Sequence, residues 1–205
     1  SIFVKYLTKI DMLRAKARWA LDNGAVKPII STEGRLLLRK ARHPLLEQTL
    51  KAQGKAIVPL DMELNAERRI LVISGPNAGG KSVCLKTTGI LQYMVQCGFL
   101  VPVLENSEFP LFDSLMIDIG DQQSLENALS TYSSHLVNMK AMLAEASEHT
   151  LIMIDEFGSG TEPTIGGAIS ESILERFVER KAYGVITTHY ANIKYFASRN
   201  EGVAN

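Results

Sequence analysis

Residues 75–82 read Gly75-Pro76-Asn77-Ala78-Gly79-Gly80-Lys81-Ser82, a glycine-rich octapeptide ending in an amine and a hydroxyl. Its spacing, G-x-x-x-x-G-K-[ST], is that of a phosphate-binding loop. The glycines let the backbone curl so that its N–H groups converge on phosphate oxygens. Lys81 can reach the β- and γ-phosphates of a nucleotide, and Ser82 can ligate Mg²⁺ through its hydroxyl. Val83 belongs to the start of the following helix, whose positive end points at the same anion. Taken alone, the octapeptide could be a glycine-rich turn without a ligand. Two further groups favour chemistry. Asp155-Glu156 follow the apolar run Leu151–Ile154, so a buried strand would deliver Asp155 to a sheet edge where it can hold Mg²⁺. Glu156, one residue on, can orient and polarise an attacking water. Adjacent positions suit these two roles, because metal and nucleophile approach the γ-phosphate from different sides. Thr187-Thr188-His189 end another apolar run, and His189 there could hydrogen-bond the γ-phosphate or the water. The combined chemistry these groups suit is attack of water on a γ-phosphate, with Mg²⁺ neutralising charge.

These side chains need elements to hold them. Arg69–Ser74 reads as a short buried strand entering the loop, and Lys81–Gln96 as the helix leaving it. Leu115–Ile119, Leu151–Ile154 and Val185–Thr188 read as further strands. Their apolar residues do not alternate with polar ones, which predicts strands covered on both faces and hence a mostly parallel sheet flanked by helices. Helical spacing runs over Ser124–Glu148 and Thr164–Arg180. Between the carboxylates and the second of these helices, Gly158-Ser159-Gly160-Thr161-Glu162-Pro163 makes a tight connection. Its functional reading is a segment that faces a partner subunit beside Glu156. Upstream, residues 2–21 place Phe3, Tyr6, Leu7, Ile10, Leu13, Ala17, Ala20 and Leu21 at helical spacing, and Asp22-Asn23-Gly24 closes that helix. Residues 25–34 read as a linker. A strand at Arg35–Arg39, a turn at His43-Pro44 and an apolar segment at Ala56–Leu64 follow. Gly98–Pro110 reads as short strands and turns, and no clear element ends the chain at 202–205.

The 205 residues suffice for one sizeable domain with a core. Zero net charge gives no global sign of nucleic-acid binding, so contacts to DNA or RNA would lie mainly outside this chain. Cys84 and Cys97 have neither zinc-site nor redox-pair spacing. They read as buried free thiols, which fits a reducing cytoplasm. No apolar stretch approaches a membrane span. The start at Ser1 reads as mid-helix, and a longer parent protein is expected.

The order of a phosphate-binding loop, a long insertion, Asp155-Glu156, a Gly-x-Gly-Thr loop and a Thr-His strand resembles the ABC-type ATPases. The transporter signature Leu-Ser-Gly-Gly-Gln is absent. Asn127-Ala128-Leu129-Ser130-Thr131-Tyr132-Ser133-Ser134-His135-Leu136 resembles instead the signature segment of the MutS family. Gly75–Ser82, Arg42-His43-Pro44 and Thr188-His189-Tyr190 are also MutS-like. Asp118–Glu126, Leu129–His135 and Gly158–Pro163 look like the second, bacterial branch of that family.

The resemblance covers about residues 35–205, as an ABC-type P-loop ATPase domain, while residues 1–24 look like the end of the family's lever helices. It implies a homodimer with shared sites, each loop being completed in trans by the partner's Ser130 and Thr131. ATP would then join the subunits and hydrolysis release them. It places adenine near Ile57. It links the longer protein to branched DNA, suppression of homologous recombination, rescue of collided ribosomes and a nuclease-like Smr domain outside this chain. The alternatives are the nucleotide-binding subunit of an ABC transporter, or an ATP-gated dimerisation module with negligible turnover.

Overall fold

The computed structural model describes residues 2–75, 80–119 and 128–205, with the backbone alone at residues 128–131. In chain order the elements are α1 (Ile2–Asp22), β1 (Ile29–Ser31), β2 (Leu36–Ala41), α2 (Pro44–Ala52), β3 (Leu60–Leu64), β4 (Ile70–Ser74), α3 (Lys81–Gln96) and β5 (Glu108–Pro110). Then come β6 (Ser114–Asp118), α4 (Ala128–Glu145), β7 (Thr150–Ile154), α5 (Pro163–Glu179), β8 (Tyr183–Thr188), α6 (Ala191–Arg199) and β9 (Val203–Ala204). They form two compact units, Ser1–Glu63 with Lys86–Pro110, and Leu64–Leu85 with Leu111–Asn205.

The second unit holds a five-stranded sheet in the order β6-β7-β8-β4-β9, parallel at every pairing. Every residue of β7 and β8 is buried, as their unbroken apolar runs predict for strands covered on both faces. Ile152, Ile154, Val72 and Ile186 pack with Met139 of α4, Leu174 and Phe177 of α5, and Ile193 of α6 in one core. Each such side chain contributes about 1.5–3 kcal/mol when fully buried. Helix α5 begins at Pro163 because Glu162 caps it. The Glu162 carboxylate accepts the N–H groups of Thr164 (3.1 Å) and Ile165 (2.9 Å), which also hold its pKa below the ordinary carboxylate value. Residues 202–205, which showed no clear element in sequence, include the two-residue β9, just beyond α6. This strand pairs Val203 with Ile70, and the Gly202 carbonyl accepts the Arg69 N–H at 3.1 Å. Among the described residues no helix is long and apolar enough to cross a membrane.

The first unit holds a four-stranded sheet in the order β1-β5-β2-β3. The stretch read as a linker therefore carries a strand. Ile29, Ile30 and Ser31 lie parallel to Glu108, Phe109 and Pro110, a partner too distant in sequence for local patterning to reveal. Helix α1 spans the expected residues, but its apolar spacing does not mark a covered face: Phe3, Tyr6, Leu7, Ile10 and Leu13 are exposed, and Ala20 is its buried residue. Its C-terminal end is anchored instead. Trp19 meets Phe99 edge-on at 5.9 Å, and Lys16 Nζ donates to the Cys97 carbonyl at 2.6 Å while lying over the Phe99 ring. Cys97 is exposed, contrary to the expectation of two buried thiols, because it lies just past the end of α3. Burial pushes the Cys84 thiol up to about 11.

His43 does more than shape a turn. Its Nδ1 accepts the Leu46 N–H at 3.3 Å and caps α2, with Pro44 in the first helical turn. Arg42 beside it donates to the Asn23 carbonyl (3.0 Å) and to Glu47 (2.6 Å). Burial, and secondarily the charge of Lys86, lower the His43 pKa below the ordinary 6.5, against its own backbone hydrogen bond. The fold thus favours the neutral ring, and the unfolded chain binds the proton more readily. The contribution of His43 to stability is complete above pH 6.5 and is lost as pH falls through the lower folded-state value. Replacing His43 by Asn, which caps without titrating, should flatten the dependence of the urea midpoint on pH between about 5 and 7.5. An unchanged slope in His43→Asn would show that the cap does not titrate.

Candidate active site

Because β4, β7 and β8 run parallel, their carboxyl ends share one edge of the sheet, where ligands of open α/β folds bind. The chain leaves β4 at Ser74 into Gly75 and re-enters helix at Lys81. Gly75 has φ +144° and Gly80 φ +83°, conformations that glycine adopts without steric cost. Pro76, Asn77, Ala78 and Gly79 lie outside the described residues, as do the side chains of Ser130 and Thr131. Ser82 is partly buried and Val83 exposed at the start of α3. Ile57 lies partly buried in the first unit, between α2 and β3.

Lys81 is 5% exposed. Its amine donates to the Gly75 carbonyl and lies 3.3 Å from His189 Nδ1, just past the end of β8. Two candidates from opposite ends of the unit's sequence therefore meet. On the other side of β8, Asp155 is 8% exposed at the end of β7. The Thr187 hydroxyl donates to Asp155 Oδ1 and accepts the Glu156 N–H at 2.8 Å. One β8 side chain thus fixes both carboxylate residues. Glu156 itself has φ +52°, a left-handed conformation that bulky L-residues rarely adopt. That turn separates its direction from that of Asp155.

The backbone beyond the pair is laced to β8 as well. The Phe157 N–H donates to the Thr187 carbonyl at 2.8 Å, and Thr188 Oγ1 donates to the Phe157 carbonyl at 3.1 Å. The Tyr190 hydroxyl donates to the Gly158 carbonyl at 2.9 Å. Gly158 has φ +85°, and a Cβ there would stand 2.2 Å from Ser170 Oγ and 2.7 Å from Tyr190 Cε2. The Gly158–Pro163 connection is therefore a packed turn and not a loose link. Thr187 and Tyr190 are positioning groups that the sequence named only as part of a Thr-His string.

A second polar cluster was not legible in sequence. Asp118, 6% exposed at the end of β6, accepts from His135 Nδ1 at 2.5 Å and from Asn138 Nδ2 at 3.0 Å, both on α4. The signal that could have found it is the i, i+3 spacing of His135 and Asn138 on one helix face. A cavity of about 20 Å³, room for about one water, is lined by Asp118, Tyr132, His135, Asp155 and Glu156. The Tyr132 hydroxyl is buried there without a hydrogen-bond partner among the described residues.

The hard oxygen donors of Asp155 and Ser82 suit Mg²⁺, which takes one or two protein oxygens and completes its shell with water and phosphate. Among the described residues no cluster of three His, Cys, Asp or Glu side chains forms an all-protein metal cage.

Comparison with known proteins agrees with this geometry. Residues 71–205 match the family model for MutS domain V. The chain is 46% identical over 202 residues to an endonuclease MutS2 of Shouchella clausii (strain KSM-K16), covering 98% of this chain and 25% of that protein. It is 43% identical over 202 residues to the endonuclease MutS2 of Bacillus velezensis (strain DSM 23117 / BGSC 10A6 / LMG 26770 / FZB42), covering 98% of this chain and 25% of that protein. With the endonuclease MutS2 of Lachnospira eligens (strain ATCC 27750 / DSM 3376 / VPI C15-48 / C15-B4) the identity is 42% over 199 residues, with 97% and 24% covered. The chain spans about a quarter of the length of these relatives. These matches set the transporter alternative aside: the chain belongs to the MutS family, as a MutS2-type protein carrying domain V, a P-loop ATPase domain of α/β fold.

Proposed function

We propose that this chain binds and hydrolyses ATP and uses it to join two copies of a longer, DNA-processing protein. The observation that carries the reading is the convergence of Lys81, Asp155, Glu156 and His189 on the carboxyl edge of one parallel sheet, with Lys81 and His189 already in contact. Gly75–Ser82 and Val83 cradle the phosphates, and Ser82 and Asp155 would hold Mg²⁺. When bound, the metal neutralises charge developing on the transferred phosphoryl group.

The chain's own residues do the rest. Thr187 holds the Asp155 carboxylate through Oδ1, fixing the side chain that, with Ser82, would hold the cation. Glu156, turned away by its left-handed backbone, orients the water and accepts its proton. Lys81 exchanges its contacts with Gly75 and His189 for phosphate oxygens, and His189 is then free to hydrogen-bond the γ-phosphate. Ser130 and Thr131 at the start of α4 complete the partner's site, so ATP binding and dimerisation are linked. In the longer protein, branched DNA or a ribosome is gripped by regions outside this chain, in the cytoplasm. The endonuclease activity named for the relatives is assigned no residue here.

Glu156→Gln should keep ATP binding and lower turnover by about 10²–10⁴-fold, whereas Lys81→Ala should lose both. Phosphate release by Glu156→Gln at the normal rate would remove Glu156 from the mechanism. Thr187→Val keeps the shape of the side chain but strips one donor and one acceptor. It should cost about 1–3 kcal/mol of stability in urea unfolding and reduce turnover, while Thr187→Ser should restore most of both. Equal behaviour of the Val and Ser variants would show that the hydroxyl does not position the carboxylates.

A further inference from the structure

We infer that Asp118 is a positioning residue for hydrolysis, clamped by His135 and Asn138 so that helix α4 and the catalytic end of β7 move as one body. The inference rests on the ATPase reading above and adds residues to it. Asp118 faces both ways. Its carbonyl accepts the Asp155 N–H at 2.9 Å, so its backbone is bonded directly to the candidate metal ligand. Its carboxylate accepts from His135 (2.5 Å) on one oxygen and Asn138 (3.0 Å) on the other. Both oxygens of a nearly buried carboxylate are thus committed to one helix. Ser130 and Thr131 lie about one turn before His135 on that helix.

The path is short and made of hydrogen bonds. From α4 it runs through two side chains to Asp118, and from the Asp118 carbonyl to Asp155. The small cavity lies along the same face of α4, lined by Tyr132, His135 and Met139 and on the far side by Asp155 and Glu156. The hydrogen bonds through Asp118 tie α4 to Asp155 directly, so a shift of the helix is passed to the carboxylate end of β7. A displacement of reacting groups by about 1 Å can lower a rate about a hundredfold, which is the scale on which the clamp acts. Parallel pairing of Ser114–Asp118 with Thr150–Ile154 sets the register that brings Asp118 to this point.

The clamp makes a distinction that mere packing does not. Asn at position 135 places a donor where the imidazole Nδ1 stands, whereas Leu keeps the bulk and removes the donor. In the full-length protein, His135→Leu and Asp118→Asn should lower kcat about tenfold or more, with the affinity for a fluorescent ATP analogue changed by less than about threefold. His135→Asn should retain most of kcat. Wild type and Glu156→Gln are assayed in parallel. Absence of turnover in wild type, or full turnover in Glu156→Gln, would overturn the ATPase reading and this inference with it. Normal kcat in Asp118→Asn and His135→Leu, beside an active wild type and an inactive Glu156→Gln, would overturn the clamp alone. So would parallel losses of kcat, affinity and thermal midpoint, or equal kcat for the Leu and Asn variants. If Asp118→Asn does not fold, Asn138→Ala, at an exposed position, carries the test with a smaller fall in kcat and unchanged affinity.

Discussion

The parallel register of β8 between β4 and β7 is the constraint on which the site depends. Ser74 stands opposite Thr188, and Ile154 opposite Ile186. This pairing brings three chain segments, separated by long stretches of sequence, to a common edge. Side chains along a strand alternate between faces, so a slip of β8 by one residue would turn Thr187 to the opposite face. The hydroxyl would leave Asp155 and Glu156 together. The fit at Gly184 opposes such a slip, since a Cβ there would stand 2.7 Å from Ile152 Cγ1 and a neighbouring residue with a side chain could not take its place. Core packing and catalytic geometry are in this sense the same requirement.

Two adjacent carboxylates would ordinarily repel and point to opposite faces of a strand. Here they are handled differently by the backbone. Asp155 directly follows the last residue of β7, is nearly buried, and is held through its side chain and its N–H. Glu156 turns into the left-handed region, with its N–H held by Thr187. The hydrogen bonds from Phe157 and Thr188 then fix the chain beyond the turn. Directional separation of the two residues comes from backbone conformation and one hydroxyl.

Much of this was legible in the sequence because it is local. The glycine-lysine-serine spacing, the apolar run ahead of Asp155-Glu156 and the run ahead of His189 each declare themselves within ten residues, and the match to MutS domain V covers all three. What escaped is non-local or small. Strand β1 has no apolar run of its own and exists through pairing with β5. Strand β9 is two residues long and is recognised by its pairing with Ile70 and Leu71. The bond between Asp118 and His135 joins a strand end to a helix, and neither residue's neighbours mark it. Helix α1 shows the converse limit: its periodicity is genuine, yet its large apolar residues are exposed, so period alone does not say what covers a face.

The left-handed Glu156 has a consequence for how this chain can change over generations. An L-residue with a Cβ is disfavoured there by about 1–2 kcal/mol, a penalty that glycine escapes and asparagine reduces. A variant with either residue would gain stability as it lost the carboxylate. Under drift constrained only by folding, this position would therefore wander away from glutamate. Under the role proposed for Glu156, retaining it demands purifying selection on turnover itself, and a lineage released from that demand would be expected to record the release at this residue early.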